Sequence, residues 1–150
     1  MKKFQFRLAS LLTLRENERD LRRQILGTAL RQAEELHARR LELENQRELQ
    51  LEELRRIGQP GELRVDGAAA RRVYAGQLVA WIMEVERQRT LVASQVELCR
   101  QALVRADQQV KVLENLRDRQ TGEYRFAAER RETRDLKEAW LGAHAGEFRR

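Results

Sequence analysis

Residues 74–113 read YAGQLVAWIMEVERQRTLVASQVELCRQALVRADQQVKVL, and this stretch decides the fold. Apolar side chains recur along it at steps of 4, 3, 4, 7, 4, 3, 4, 3, 4 and 3 residues. The stripe consists of Tyr74, Leu78, Trp81, Val85, Val92, Val96, Cys99, Leu103, Ala106, Val110 and Leu113. Steps of three and four return side chains to one face of a slightly under-wound helix. Because charged residues fill the positions between, the stretch predicts an amphipathic helix that must bury its stripe against another segment.

A partner for this stripe is present earlier in the chain, over residues 1–57. Its apolar residues follow one another at sums of threes and fours: Leu14, Leu21, Ile25, Leu36, Leu43, Leu54 and Ile57. A second set widens the apolar face: Leu12, Leu26, Leu30, Leu41 and Leu51. Since neither glycine nor proline occurs from Ala29 to Ile57, the pattern predicts one long helix.

A break separates the two periodic segments. Ile57-Gly58-Gln59-Pro60-Gly61 places a glycine where a helix ends and a proline just beyond it, and Asp66 is a candidate N-cap for the next helix. A short connection between long helices favours an antiparallel neighbour. We therefore expect an all-α protein in which two long helices form an antiparallel coiled-coil hairpin. The expected single domain, residues 1–150, has a first helix at about 4–57, a turn at 58–66, a second helix at about 67–141 and a frayed tail at 142–150.

The charges indicate a solvated helix surface. Charged residues make up 36% of the chain and the formal net charge is +6. Acidic residues precede arginines by one helical turn, as in Glu18–Arg22 and Glu52–Arg56, an order that stabilises a helix. A modest basic surplus remains for acidic partners. No aromatic residues interleave with the arginines to suggest base stacking, so specific nucleic-acid binding is not expected.

The residue types that carry catalysis do not converge. His37 and His144 lie far apart with no metal-ligand spacing around them, and no phosphate-binding loop or nucleophile motif is present. Cys99 falls on the apolar stripe, where a small hydrophobic side chain is its expected role. We expect no enzyme, no catalytic residue, no metal and no cofactor. No apolar run is long enough to span a bilayer and no signal-peptide pattern is complete, so a cytoplasmic protein is expected.

Two blocks of sequence resemble a known family. The first is Phe4-Gln5-Phe6-Arg7-Leu8, followed by Leu11-Leu12, Leu14-Arg15-Glu16 and Glu18. The second is Lys111-Val112-Leu113-Glu114-Asn115-Leu116-Arg117-Asp118-Arg119-Gln120, followed by Tyr124, Glu129 and Glu132. Together they resemble the flagellar export protein FliJ and the related small stalk proteins of type III secretion, a resemblance that covers nearly the whole chain.

This resemblance implies a non-enzymatic stalk, similar to the central stalk of rotary ATP synthases. The implied partners are the hexameric flagellar export ATPase (FliI-like), whose ring assembly and activity the stalk promotes, the export gate protein (FlhA-like) and export chaperones. The implied location is cytoplasmic and peripheral to the export apparatus at the inner membrane, without direct membrane insertion. An alternative is a basic coiled-coil adaptor outside secretion, binding nucleic acid or associating with itself.

The resemblance also supplies candidate contact residues. For the ATPase they are Phe4, Phe6, Leu8, Leu11, Leu12, Arg15, Glu16, Leu113, Glu114, Leu116, Arg119 and Gln120. For the export gate they are Gln77, Trp81, Glu84 and Gln88, near the start of the second helix. This second set is less apolar than the family pattern implies, and Trp81 is either a contact residue or a member of the helix seam.

Overall fold

The computed structural model describes residues 2–58 and 65–147, and contains two long helices. Helix α1 spans Ala9–Ile57 and helix α2 spans Val65–His144. The two helices pack against each other as an antiparallel hairpin, and the described residues include no strand. The all-α coiled-coil hairpin predicted from the heptad stripe is therefore confirmed. That the chain forms one domain stays a prediction.

The helix ends differ from their expected positions. α1 begins at Ala9 rather than near residue 4, and α2 continues through Gly142 to His144 rather than ending near residue 141. The His144 ring stacks on Trp140 and its Nδ1 donates to the Trp140 carbonyl oxygen at 2.8 Å, which holds the last turn. Because α2 already includes Val65, Asp66 lies inside the helix rather than just before its first residue. Most of the expected turn, residues 59–64, and residues 148–150 of the expected frayed tail lie outside the described part of the chain.

Contacts within the hairpin fall into two compact units. The first comprises residues 1–19 and 105–150, and the second comprises residues 20–104. In the first unit, Leu12 of α1 packs with Val110 and Leu113 of α2. In the second, Leu43 of α1 packs with Leu78 and Val85 of α2. Full burial of one such aliphatic side chain stabilises a fold by about 1.5–3 kcal/mol, so these clusters hold the helices together.

Within the described residues of the second unit, an ion pair between Arg40 and Glu86 joins α1 to α2. Arg40 Nη1 lies 2.9 Å from Glu86 Oε2 on the opposite helix, while Arg40 Nε donates to Glu44 Oε1 at 2.9 Å on its own helix. Glu86 also accepts a hydrogen bond from Arg89 Nη1 at 3.0 Å. These four charges alternate in sign, and they favour the register in which Arg40 faces Glu86.

The predicted stripe on α2 is correct in most of its length and wrong at its aromatic residues. Leu78, Val85, Ala106, Val110 and Leu113 are buried as expected. Tyr74 and Trp81, by contrast, are 37% and 40% exposed. Buried Ala75 and half-buried Ile82, each three residues before the next seam residue rather than four, lie in the seam instead. Small or slender side chains allow two helices to approach closely, and bulky rings at the same positions would hold them apart.

The predicted seam on α1 also needs correction. Leu14, Leu21 and Ile25 are 52%, 55% and 40% exposed, although the sequence pattern placed them on the buried face. Leu12 and Ala29 are buried in this part of α1. Alanine carries little apolar area, so the pattern of leucines and isoleucines on α1 did not indicate that Ala29 lies on the buried face.

Neither helix has a stretch that is both long enough and apolar enough to cross a membrane, as judged over the residues that the structure describes.

Candidate functional site

The two sets of candidate contact residues lie in different units of the hairpin. We call the set from Phe4 to Gln120 the end cluster, because its members lie near the start of α1 and in the part of α2 opposite that start. We call Gln77, Trp81, Glu84 and Gln88 the α2 stripe. All members of the end cluster belong to the first unit, and all members of the α2 stripe belong to the second.

Part of the end cluster is a packed apolar core. Leu12 and Leu113 are only 5% and 9% exposed, and both pack with Val110. Phe6, Leu8 and Leu11 are partly buried against the same core. The side chains of Leu12 and Leu113 therefore hold α1 and α2 together in this conformation, and the accessible surface of the cluster comes from its other members.

The segment before α1 lies against α2. The Phe4 ring contacts the Tyr124 ring with centroids 5.5 Å apart, and the Tyr124 hydroxyl donates a hydrogen bond to the Lys2 carbonyl oxygen. The Ala9 amide donates to the Phe6 carbonyl oxygen at 3.2 Å, which starts the first turn of α1. These contacts explain why the helix begins after Phe6: the backbone of residues 2–6 follows α2 in a non-helical conformation.

The polar members of the end cluster differ in accessibility. Arg15 Nη1 donates to Glu18 Oε2 at 2.9 Å, so its charge is paired within α1. Arg119 is the more exposed cation, with a side chain that is 71% exposed and a Nε atom 3.9 Å from Glu123 Oε1. The remaining members are partly buried: Glu16, Glu114, Leu116 and Gln120. A protein approaching this end would therefore meet Arg119 with its charge only loosely paired.

Sequence reasoning missed an exposed apolar surface farther along α2. Phe126, Leu136, Trp140 and Leu141 are between 55% and 71% exposed. Leu136, Trp140 and Leu141 line a shallow groove of about 440 Å³ on this one helix. Because α1 begins only at Ala9, the apolar residues of this part of α2 have no seam to enter. The sequence could have indicated part of this surface, since Leu136, Trp140 and Leu141 lie beyond Glu132, the last residue of the second block.

The α2 stripe carries one aromatic residue on an otherwise polar surface. Trp81 packs edge-on against Tyr74, with ring centroids 6.5 Å apart and an interplanar angle of 83°. Gln77, Glu84 and Gln88 are all exposed. Because Trp81 is 40% exposed, it does not lie in the buried seam, and its role as a contact residue stays a prediction.

Glu84 is held by neighbours on its own helix. Arg87 donates to it through Nε to Oε2 at 3.0 Å and through Nη2 to Oε1 at 2.7 Å, and Gln88 Nε2 donates to Oε1 at 3.2 Å. The hydrogen bonds from Arg87 lower the pKa of Glu84, slight desolvation opposes them, and the charge of Arg87 and the Gln88 hydrogen bond add to the lowering. The Glu84 carboxylate in turn raises the pKa of Arg87. The stripe thus presents a fixed, largely neutralised polar pair beside Trp81.

No metal-binding arrangement occurs in the described ranges, where no three His, Cys, Asp or Glu side chains come close enough to hold an ion. His37 is exposed on α1, and His144 is occupied at the end of α2.

The family comparison matches both helices. A family model described as flagellar FliJ protein matches residues 4–144 of the 150 residues. The curated proteins and the solved structures compared with this chain gave no match. The matched range includes the whole end cluster, the whole α2 stripe and all of α1, so the resemblance of the two terminal blocks extends over the hairpin as a whole. This chain is a member of the flagellar FliJ protein family.

Proposed function

We propose that this protein is the stalk of a flagellar export apparatus and that its end cluster binds the hexameric export ATPase. Membership of the family implies a component of the flagellar export apparatus, and the family is a non-catalytic one. The proposal rests on the arrangement of buried and accessible side chains in the first unit. A packed core of Leu12, Val110 and Leu113 supports a surface on which aromatic and basic side chains remain accessible.

The chemistry of this surface suits a ring of protein subunits with an acidic lining. Arg119 presents an accessible guanidinium, and Tyr124 and Phe126 add aromatic area at 40% and 61% exposure. Arginine and aromatic residues contribute most of the binding energy in many protein interfaces. Complementary charge would speed the encounter and fix its register. Binding inside the ring would promote its assembly and activity, because a ligand shared by several subunits stabilises the assembled state.

A charge reversal with a matched control tests this proposal. We expect Arg119→Glu to weaken binding to the export ATPase by about tenfold and to reduce stimulation of ATP hydrolysis, since one well-placed charge contributes over 1 kcal/mol. Arg56→Glu is the control: both side chains are 71% exposed, and Arg56 pairs with Glu53 within its helix as Arg119 does with Glu123. Binding is measured by titration calorimetry and helicity by circular dichroism. Equal binding by both variants would contradict the assignment of the end cluster.

We further propose that the α2 stripe contacts the export gate protein through Trp81. Its indole ring is 40% exposed and supported by Tyr74, so it offers a rigid apolar contact at low entropic cost. Trp81→Ala should reduce capture of the gate protein's cytoplasmic domain at least about tenfold. The matched control is Trp140→Ala, because Trp140 is the chain's other tryptophan and is 55% exposed. A gate interaction lost only in the Trp140 variant would overturn this assignment.

The remaining partners and the location follow from the same proposal. A stalk joining the ATPase to the gate would act in the cytoplasm beside the inner membrane and would meet export chaperones there. No surface of the hairpin is assigned to the chaperones.

A further inference from the structure

An apolar groove runs between α1 and α2 in the second unit, on the same face of α2 as the α2 stripe and one heptad beyond its last residue, Gln88. It has a volume of about 390 Å³ and is lined by Ile25, Thr28, Ala29, Gln32, Gln95, Leu98 and Cys99. Ala29 is buried and Cys99 is half-buried, so they form its floor. Ile25 and Leu98 are 40% and 65% exposed and form its walls. The two core clusters described above, around Leu12 and around Leu43, include none of these residues.

The groove continues a regular pattern on both helices. On α1 the residues Leu21, Ile25, Thr28 and Gln32 follow at steps of 4, 3 and 4. On α2 the residues Leu91, Gln95, Leu98 and Ala102 follow at the same steps. Leu21 and Leu91 are 55% and 53% exposed. A 4-3-4 spacing is that of a coiled-coil seam, so each helix carries the beginnings of a second seam beside the first.

The lining of the groove contains no charged residue, although 36% of the chain is charged. This limits the choice of partner. An acidic protein would be attracted to the arginines elsewhere on a chain of net charge +6, and would find nothing to pair with in this groove. In a two-fold symmetric contact, by contrast, each patch meets a copy of itself. A charged patch would then face its own charge, whereas an uncharged apolar patch meets itself without repulsion.

We propose that this groove is the interface of a homodimer, in which two hairpins pair about a two-fold axis and form a four-helix arrangement. Ile25 and Leu98 of one copy would enter the groove of the other, and the matching 4-3-4 spacing would allow their side chains to interdigitate. The patch is small compared with the interfaces of permanent dimers, and the two copies share a positive net charge. We therefore expect a weak, reversible dimer with a dissociation constant on the order of 10 μM.

Sedimentation equilibrium over roughly 1–500 μM tests the proposal on the full-length chain. The wild type should change from monomer to dimer across this range, and added salt should strengthen the dimer by screening the repulsion between the copies. Leu98→Glu should remain a monomer throughout, because it would bring two carboxylates into an apolar contact. Circular dichroism should show unchanged helicity for this variant, since the Leu98 side chain is 65% exposed.

Leu41→Glu is the matched control. Leu41 is 48% exposed and does not line the groove, and it lies on α1 roughly 160° around the helix from Ile25. This variant should dimerise like the wild type. A wild type that stays monomeric at every concentration would overturn the proposal, and so would a dimer that Leu98→Glu leaves intact or that Leu41→Glu abolishes.

Cys99 gives a second and independent measurement. It is the chain's single cysteine and lies in the groove, so its rate of alkylation by a maleimide reports directly on whether the groove is covered. The rate should fall at least about fivefold between dilute and concentrated wild type and stay constant for Leu98→Glu. A concentration-independent rate in a wild type that does dimerise would place the interface elsewhere and overturn the assignment. Because the readout needs no ATPase, its failure is distinct from a failure of the stalk proposal.

Discussion

Single residues show where the stability of the hairpin comes from. In the second unit, Leu43 and Leu78 are 1% and 0% exposed, and in the first unit Val110 is 0% exposed. Many other large apolar residues of both helices remain half exposed, so they contribute much less to stability. A few fully buried aliphatic side chains in each unit therefore carry a large share of the packing free energy.

Truncating one of these side chains should be costly. We expect Leu78→Ala to lower the free energy of unfolding by about 2–5 kcal/mol, through lost burial and the cavity left behind. Leu49→Ala removes the same atoms from a side chain that is 60% exposed, and should change stability by no more than about 0.5 kcal/mol. Urea denaturation followed by circular dichroism measures both. Similar losses for the two variants would mean that α1 and α2 do not pack through the cluster of Leu43, Leu78 and Val85.

The Glu84–Arg87 pair makes a prediction about pH. Because the pair lowers the pKa of Glu84 below its usual 4.5, the stabilisation it provides is fully present above pH 4.5 and is lost as the pH falls through the lowered value. A carboxyl NMR titration should place the Glu84 midpoint below 4.5, and Arg87→Gln should return it towards 4.5. If Glu84 titrates at the same pH in both proteins, the two-pronged contact with Arg87 does not persist in solution.

At the level of the helices, the periodicity of the sequence was sufficient to predict two packed helices. It was not sufficient to predict which residues of each helix lie in the seam. The unbroken pattern predicted two long helices, and Gly58 marks the end of α1 as expected, with its amide bonded to the Leu54 carbonyl oxygen at 3.1 Å. A repeat of three and four, however, leaves residues three and four positions away on nearly the same face. Whether Tyr74 or Ala75 enters the seam therefore depends on how closely α1 and α2 approach, and the sequence of one helix does not specify that distance.

For the candidate site too, the sequence predicted some properties and not others. The sequence blocks identified which residues gather near the start of α1, because they share composition and spacing with a family. They could not show that the side chains of Leu12 and Leu113 are buried between the helices, since a leucine in a seam and a leucine on a docking surface look alike in sequence. Nor could they show that Phe126 is exposed, because that depends on where α1 begins.

Gly27 tests the continuity of α1. It lies inside the helix, and a Cβ atom placed there would meet nothing within 4 Å. We expect Gly27→Ala to raise the free energy of unfolding by about 0.5–1 kcal/mol, because alanine loses less backbone entropy on entering a helix. Gly58→Ala is the comparison: its Cβ would lie 3.4 Å from the Leu54 carbonyl oxygen at the end of the helix, so a smaller gain is expected. Thermal unfolding of the two variants gives the answer, and a loss of stability in Gly27→Ala would indicate a kink at that position.

At the scale of the whole molecule, protection is expected to be uneven along α2. Every residue from Glu129 to Ala143 is exposed, whereas the part of α2 that packs on α1 has a buried or half-buried residue every turn or two. A helix of this length without tertiary packing is marginally stable in water. Its amides should therefore exchange much faster than those around Val110 and Leu78.

Hydrogen exchange with mass spectrometry measures this difference. We expect peptides from Glu129–Ala143 to exchange at least about a hundredfold faster than peptides containing Val110 or Leu78, which open only when packing is lost. Peptides of α1 containing Leu43 supply an internal reference. Uniform protection along α2 would show that another segment, or a second copy, covers its last turns.

The part of α2 beyond Tyr124 has one more consequence. A lone helix with its side chains is about 10–12 Å across, and two helices side by side are about twice as wide in one direction. A central channel that is too tight for the paired helices would still admit the last turns of α2. The depth to which the hairpin enters such a channel would then be set by the point at which the residue 2–6 segment, held against Tyr124, adds to the width of the lone helix.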